Sequence, residues 1–528
     1  MGKPKVIVCD HIHKRGLDLL LSSNEIEYIN LANEPKDLLP ELIKDATVII
    51  TRSSTDVDDT LLSHAVSLKA IVRAGVGVDN VDINACSKKG IIVMNVPTAN
   101  TIAAVELTMS HMLGCMRSFP YAHSELKDKR VWKRENWYGR ELFAKKLGII
   151  GFGNIGSRVG TRAVAFGMDV LTYDPYIKPS KATDVGVKYT SNFDDILLCD
   201  VITIHTPKNK ETINMITSKE IAKMREGVVL INCARGGLYN EDDLYEALKN
   251  RKVSFAGMDV FNKEPAIANP LLDLDNICVT PHLGANTQES QEKIAIEAAE
   301  QALSAAKGIS FPNALNLPVK VGEVSEFNLS FIELAQKISF LATQINKGAL
   351  ESVKIKAAGE IASQLEPLAT FAAVGAGRQS LGENVNYVNA QFLMKERGID
   401  IVATEEANTG GYKNKISVKV TTNIGVTTIC ATSFDENTQR ILDIDGFEVD
   451  IEPKGKMIFF KNKDIPGVIG EVGSTLGKHG INIADFRLGR NSNSEAMAVI
   501  IVDDDVNQEV LDELASLKAA ISVSYAII

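Results

Sequence analysis

Short apolar runs recur along the first hundred positions: KVIVCD, IEYIN, TVIITR, LKAIVRAG and IIVMNVP, separated by polar or amphipathic stretches long enough for helices. That alternation predicts a parallel sheet wrapped by helices between Lys5 and Pro97. NTIAAVELTMSHMLGCMR, from Asn100 to Arg117, has helical composition with a capping residue at its start. The strand pattern then begins again with GIIGFG, DVLTYD, VITIHTP, VVLINCARG, GMDVF and ICVTPH, so two doubly wound α/β units lie in tandem. A helical stretch from Asn286 to Lys307 precedes GISFPNALNLP, whose glycine and prolines mark a boundary. The region from Val319 to Asp450 mixes helical and strand patterns, and GFEVDIEPKGK reads as a second, turn-rich boundary. From Lys456 to Ile528 the order is strand, helix, strand, strand, helix, strand, the split βαββαβ arrangement.

A chain of 528 residues exceeds what one core usually organises, which predicts about three or four domains. The start of the chain lacks a cleavable apolar leader, and no stretch reaches bilayer-spanning length, so a cytoplasmic location is expected. Seven cysteines without a CxxC pair sit mostly in apolar runs, as in VIVCD and ICVTP, and read as reduced core residues rather than metal ligands. A formal charge of −10 repels nucleic acid and anionic membranes. An anionic substrate must therefore be met by a few locally concentrated arginines.

Gly151, Gly153 and Gly156 form GFGNIG after the strand LGII and before a helix. The first glycine permits a tight turn, the second lets the backbone approach a pyrophosphate, and the helix start offers N–H donors. Asp174 closes the next strand about 20 residues on, where the dinucleotide motif places a ribose-binding carboxylate. Such a carboxylate repels a 2′-phosphate, which selects NAD over NADP. A turn-forming role before Pro175 is the alternative.

Three segments at strand ends of the second unit bring chemistry: INCARGG with Arg235, GMDVFNKEP with Asp259 and Glu264, and TPHLGA with His282. Oxidising an alcohol by hydride transfer needs a base for the hydroxyl proton and a cation for the substrate carboxylate. His282 fits the base, Glu264 the carboxylate that orients and charges it, and Arg235 the two-pronged cation. His111 and His205 read as structural.

With these motifs in register the chain resembles the D-2-hydroxyacid dehydrogenase family. RAGVGVDNVD (Arg73 to Asp82) and WKRENWYGREL (Trp132 to Leu142) narrow the resemblance to the long-form branch that acts on 3-phosphoglycerate. It covers essentially the whole chain and implies four domains. Residues 1–99 with 286–315 would form a flavodoxin-like substrate domain, and 100–285 a Rossmann NAD domain inserted into it. Residues 319–450 would form an α+β intervening domain, suggested by NVNYVNAQFLMKERGID (Asn384 to Asp400), and 455–528 a ferredoxin-like ACT domain. The resemblance places cofactor contacts at Val76, Asn154, Ile155, Asp174, Thr206, Cys233, Ala234, Arg235, Asp259, His282, Leu283, Gly284 and Ala285. It places Arg52, Ser53 and Arg73 on the substrate, with a surface ion pair as the plainer alternative for Arg52.

The resemblance further implies NAD as cofactor, 3-phospho-D-glycerate as substrate, a homotetramer, and feedback by L-serine, the end product of the pathway this reaction opens. In the last domain Pro466 and Gly467 start a helix beside Asn462 and Asp464, and Asn482 begins the next strand, so all three could converge on one small polar ligand. Turn and capping roles are the alternative for each. Other 2-hydroxy acids, with a side activity on 2-oxoglutarate, and a silent NAD-binding sensor are the competing readings.

Overall fold

The structure, a computed structural model, describes residues 2–318, 324–382, 385–491 and 493–528. Val319, where the intervening region was expected to begin, and Asn384 of its characteristic segment lie outside the described residues.

The first sheet is formed by β1 (Lys5–Val8), β2 (Glu27–Asn30), β3 (Val48–Thr51), β4 (Ala70–Arg73) and β5 (Ile92–Asn95). All neighbours are parallel, in the order β2-β1-β3-β4-β5 of a flavodoxin-like sheet. Its central strands are apolar throughout because helices cover both faces, and Val6, Ile7, Val8, Val48, Ile49 and Ile50 are fully buried. One of those helices, Gln288–Ala306, comes from far along the chain and packs Ile294, Ala298, Ala299 and Ala302 against Val6, Val48 and Val72.

The second sheet contains β6 (Lys146–Ile150), β7 (Asp169–Tyr173), β8 (Lys188–Thr190), β9 (Val201–Ile204), β10 (Val228–Asn232), β11 (Val253–Met258) and β12 (Ile277–Val279). Its order, β12-β11-β10-β9-β6-β7-β8, is the Rossmann order extended by one strand. β8 was not foreseen, since KYT is three residues long and partly exposed and has no apolar run to announce it. The helix Thr101–Arg117 packs Val105, Met109, Met112 and Cys115 against this sheet, although Asn100 makes no side-chain cap bond.

Beyond the linker, helices Glu326–Ile345 and Leu365–Leu381 pack on a six-stranded sheet of β13 (Leu350–Gly359), β14 (Asp400–Glu405), β15 (Asn414–Thr422), β16 (Gly425–Ser433), β17 (Gln439–Ile444) and β18 (Phe447–Ile451). The order is β14-β13-β15-β16-β17-β18, antiparallel except where β13 meets β14. FEVDI is thus a strand and not part of a turn-rich boundary; Phe447, Val449 and Ile451 alternate inward, as a half-buried strand requires.

The last sheet has β19 (Lys456–Lys463), β20 (Ile483–Arg490), β21 (Glu495–Val502) and β22 (Ala520–Ile527) in the antiparallel order β20-β21-β19-β22, the ferredoxin-like arrangement. Helices Val468–Lys478 and Gln508–Ser516 cover one face. The other face, with Met457, Phe459, Met497, Val499, Ile501 and Ala526, belongs to the same apolar core as Phe331, Ile338, Val449 and Ile451. The Gln344 side-chain amide also pairs with the backbone of Ile527 in both directions, at 3.0 and 3.1 Å.

Candidate active site and cofactor cleft

The carboxyl ends of the first two sheets face each other, and the loop after β4 reaches the loop after β10: Arg235 Nε stands 3.3 Å from Asp79 Oδ2. A Cβ on Gly77 would lie 2.5 Å from the Arg235 guanidinium, so a larger residue there would push the end of that side chain aside.

The glycine loop follows from the backbone its residues permit. Gly151 has φ +88°, and a Cβ there would meet the His205 carbonyl oxygen at 2.7 Å. A Cβ on Gly156 would meet the Gly151 carbonyl oxygen at 2.1 Å, so this glycine lets the helix Asn154–Ala165 start tightly against the strand. Gly153 differs, because a Cβ there would meet nothing within 4 Å; its bareness leaves space in front of a helix N-terminus whose capping residue offers no side chain. Asp174 sits at the end of β7 and accepts hydrogen bonds from the N–H of Phe152, at 2.8 Å, and of Tyr176, at 2.9 Å. It is therefore both the turn residue and a carboxylate anchored to the glycine loop, with lone pairs left for a ribose. Thr206 Oγ1, on the neighbouring loop, is buried without a partner, as expected of a hydroxyl awaiting a ligand. Open space at Gly153, anchored Asp174 and orphaned Thr206 together fit a dinucleotide.

His282 Nδ1 and Glu264 Oε2 are 2.7 Å apart, and Glu264 Oε1 accepts the Phe261 N–H at 3.0 Å. The hydrogen bond to Glu264 raises the His282 pKa above the usual imidazole range, although burial opposes it. Burial would push the Glu264 carboxyl up, but the His282 and Phe261 hydrogen bonds outweigh it and hold the carboxyl below its ordinary value.

Asp259 is fully buried beneath this pair. Its oxygens accept from Thr280 Oγ1 (2.6 Å), Leu283 N (2.7 Å) and Gly284 N (2.9 Å), so its side chain holds the His282 loop and does not emerge into the cleft. The N–H groups of Leu283 and Gly284 are thus committed to Asp259, and the Ala285 carbonyl accepts from the Gln291 side-chain amide. His111 Nε2 reaches Thr280 Oγ1 at 2.7 Å and serves this support; burial lowers its pKa. His205 is buried against Thr203, which pushes its pKa down to about 4 and keeps the ring neutral.

Arg235 is presented by a loop stapled by Asn232, whose side chain accepts the Ala234 N–H and donates to the Arg235 carbonyl, at 3.0 and 2.9 Å. Cys233 in the same loop is buried, and burial drives its thiol pKa far up, so it contributes shape rather than reactivity. Asn232 and Asp79 lie inside INCARGG and RAGVGVDNVD, but neither motif tells what their side chains bind, so the sequence did not single them out.

Arg73 ends β4, and its Nε is buried without a partner. Burial pushes its pKa down to about 10, with the like charges of Arg52 and Arg235 adding to the effect. Three guanidinium groups thus share one field. Arg52 makes no ion pair among the described residues, and its Nη1 donates only to the His11 carbonyl, at 3.0 Å, which removes the surface ion pair as its explanation. Ser53 is exposed in the same turn, and Val76 lies between Arg73 and Arg235, its carbonyl held by Asn95 Nδ2 at 2.7 Å.

In the last sheet Asn462 and Asp464 open into one cleft of about 480 Å³ with Phe460, Pro466, Gly467 and Arg490. Asn462 Oδ1 is buried and unpartnered, and Asp464 pairs with Arg490 at 3.2 Å. Asn482 does not join them. The helix Val468–Lys478 carries the chain back to where β19 began, so Asn482 lies at the opposite end of the sheet, where its Nδ2 donates to Asp503 at 2.6 Å. The expected convergence of all three residues within one chain is therefore corrected.

No helix among the described residues is long and apolar enough to cross a membrane, and no cluster of metal-ligating side chains was found among them.

Residues 109–284 match the D-isomer specific 2-hydroxyacid dehydrogenase NAD binding domain, 329–445 the D-3-phosphoglycerate dehydrogenase intervening domain, and 456–519 the ACT domain. The D-3-phosphoglycerate dehydrogenase of Bacillus subtilis is 38% identical, with 98% of each chain covered. That of Archaeoglobus fulgidus is 37% identical, with 99% of each covered. Among solved structures, D-lactate dehydrogenase from Aquifex aeolicus complexed with NAD and lactic acid superposes with a TM-score of 0.52 at 30% identity, covering 58% of this chain and 96% of that one. NAD-dependent formate dehydrogenase from Staphylococcus aureus in complex with NAD gives 0.53 at 27%, covering 59% and 97%. The site geometry, the three domain matches and the full-length relatives agree: the chain belongs to the D-3-phosphoglycerate dehydrogenase family of NAD-dependent D-isomer specific 2-hydroxyacid dehydrogenases.

Proposed function

We propose that this chain oxidises 3-phospho-D-glycerate to 3-phosphooxypyruvate with NAD, the step that opens L-serine biosynthesis. The observation that supports this most is the trio Arg52, Arg73 and Arg235 around a cleft that also contains the His282–Glu264 pair. A carboxylate and a phosphate together bring about three negative charges, which matches three guanidinium groups. A monoanion such as lactate needs one.

The glycine loop, Asp174 and Thr206 would hold NAD, which supplies the hydride acceptor when bound. The chain's own residues do the rest. Glu264 accepts the Nδ1–H of His282, which leaves Nε2 as the nitrogen that takes the hydroxyl proton. The resulting imidazolium is stabilised by the same carboxylate. Arg235 grips the substrate carboxylate bidentately and polarises the developing carbonyl, and Arg52, Ser53 and Arg73 receive the phosphate. The intact acid-base pair disfavours a silent sensor.

L-Serine is the proposed effector, bound at Asn462 and Asp464. Asn482 would be supplied by the ACT domain of a second copy within a homotetramer. A side activity on 2-oxoglutarate is compatible with the same arginines.

The deciding experiment follows NADH formation with 3-phospho-D-glycerate, D-lactate, D-glycerate and D-2-hydroxyglutarate in parallel. The highest kcat/KM is expected for the phosphorylated acid. A preference for a monoanionic acid would overturn the substrate assignment, and no NADH from any of them would overturn the enzymatic one.

A further inference from the structure

Asp10 lies at the carboxyl end of β1, beside the site yet outside every motif that revealed it. It is 1% exposed. A buried carboxylate has to be satisfied by donors, and Asp10 collects four: Lys36 Nζ at 2.6 Å, Ser54 Oγ at 2.7 Å, Thr55 Oγ1 at 2.8 Å and the backbone N–H of Arg52. Burial alone would push its pKa up; Lys36 and the three turn donors outweigh that and keep it ionised.

Three of the four donors come from one turn, Arg52 to Thr55. Asp10 thus gathers that turn from beneath. Asn80 fastens it from the side, its Nδ2 donating to the Arg52 and Thr55 carbonyls at 2.7 and 2.6 Å. The outward groups of the turn are left free: the Ser53 and Ser54 N–H groups have no acceptor among the described residues, and Arg52 has no carboxylate on its guanidinium. Lys36 completes the arrangement, because its charge cancels that of Asp10 and spares the positive field of Arg52 and Arg73. A turn with inward donors satisfied and outward donors and cations open is built for an anion with several acceptor oxygens.

We propose that Asp10 is a positioning residue for the substrate's phosphate, which holds the Arg52–Thr55 turn in the shape that receives it. The inference rests on the substrate reading above. Asp10 touches no reacting atom, so it governs phosphate affinity and not the chemical step.

The test measures the full-length wild type and the variants Asp10→Asn, Ser54→Ala and Thr55→Val, with melting temperature and NAD affinity recorded for each. In Asp10→Asn the KM for 3-phospho-D-glycerate should rise on the order of tenfold or more, as loss of charge-assisted hydrogen bonds implies. Its kcat, its NAD affinity and its KM for D-glycerate, which lacks the phosphate, should change by less than about threefold. Inhibition by inorganic phosphate should weaken by the same factor as the KM rises. Ser54→Ala and Thr55→Val, which leave Asp10 in place, should shift the same two quantities by smaller factors and so preserve the test if Asp10→Asn folds poorly. Equal losses for phosphorylated and unphosphorylated acids, or unchanged phosphate inhibition in all three folded variants, would overturn the proposal. A wild type that neither oxidises 3-phospho-D-glycerate nor responds to phosphate overturns the substrate reading and this inference with it, and is told apart by needing no variant at all.

Discussion

Nδ1 of His282 and Oε2 of Glu264 stand 2.7 Å apart across 18 positions of sequence, and each shifts the other's proton affinity in the direction that stabilises the charged pair. The oxidation needs His282 unprotonated, so kcat/KM falls as pH drops through its raised pKa. Glu264→Gln removes the anion, the pKa returns toward about 6.5, and the acidic limb of the profile moves to lower pH. An unmoved limb would separate that limb from His282. His282→Ala should lose turnover by about 10²–10⁴-fold while retaining NAD binding, measured by steady-state kinetics and fluorescence titration.

Arg235→Lys keeps the charge and loses the planar fork. The Asp79 pairing at 3.3 Å and the bare Gly77 show how closely the guanidinium is fitted to its surroundings. Both KM and kcat should worsen, with kcat/KM down at least about tenfold. Unchanged kinetics would mean that the substrate carboxylate is held elsewhere.

Asp174→Ser should weaken NAD and raise the NADP/NAD ratio of kcat/KM, because a small neutral side chain ceases to repel a 2′-phosphate. The structure adds a second effect. The variant also releases the Phe152 and Tyr176 N–H groups, so efficiency with both cofactors should drop even as the ratio moves. A fixed ratio would refute the ribose assignment.

If serine acts through the cleft beside Asn462, Asp464→Ala should abolish its inhibition and leave uninhibited kcat and KM unchanged, since the residue follows β19 in the terminal module and touches none of the catalytic groups. Wild-type-like inhibition in this variant would place the effector elsewhere.

Much of this architecture was legible because parallel strands buried on both faces must be continuously apolar, and KVIV, VIIT, GII and VVLIN announce themselves. Gly151, Asp174, Arg235, Glu264 and His282 were legible for a different reason: each belongs to a spacing that a ligand or a turn dictates. What stayed hidden were single polar residues that act through partners distant in sequence. Asp10 and Asn80 each bind a loop that only the folded chain brings near. β8 was too short to show a period, and FEVDI was masked by the proline and glycine after it, although its alternation was there. Asn482 was misplaced by closeness along the chain, where the direction of the returning helix decides.

The apolar core shared by the third and fourth sheets has a mechanical consequence. With Met457, Phe459 and Val499 interleaved among Phe331, Ile338 and Val449, and Gln344 laced to Ile527, the terminal module cannot tilt without dragging the six-stranded sheet along. That combined lever meets the catalytic half at slender points: Asn386 donates to the Gly90 carbonyl at 3.0 Å, and Asn316 of the linker pins Val93 and Ile91 at 2.9 Å each. These contacts fall at Gly90 and Ile91, which lead into β5, and at Val93 within it; the far end of β5 is Asn95, the residue that grips the Val76 carbonyl at the mouth of the cleft. A torque applied at one end of the molecule thus has a stiff rod of four residues through which to arrive at the other.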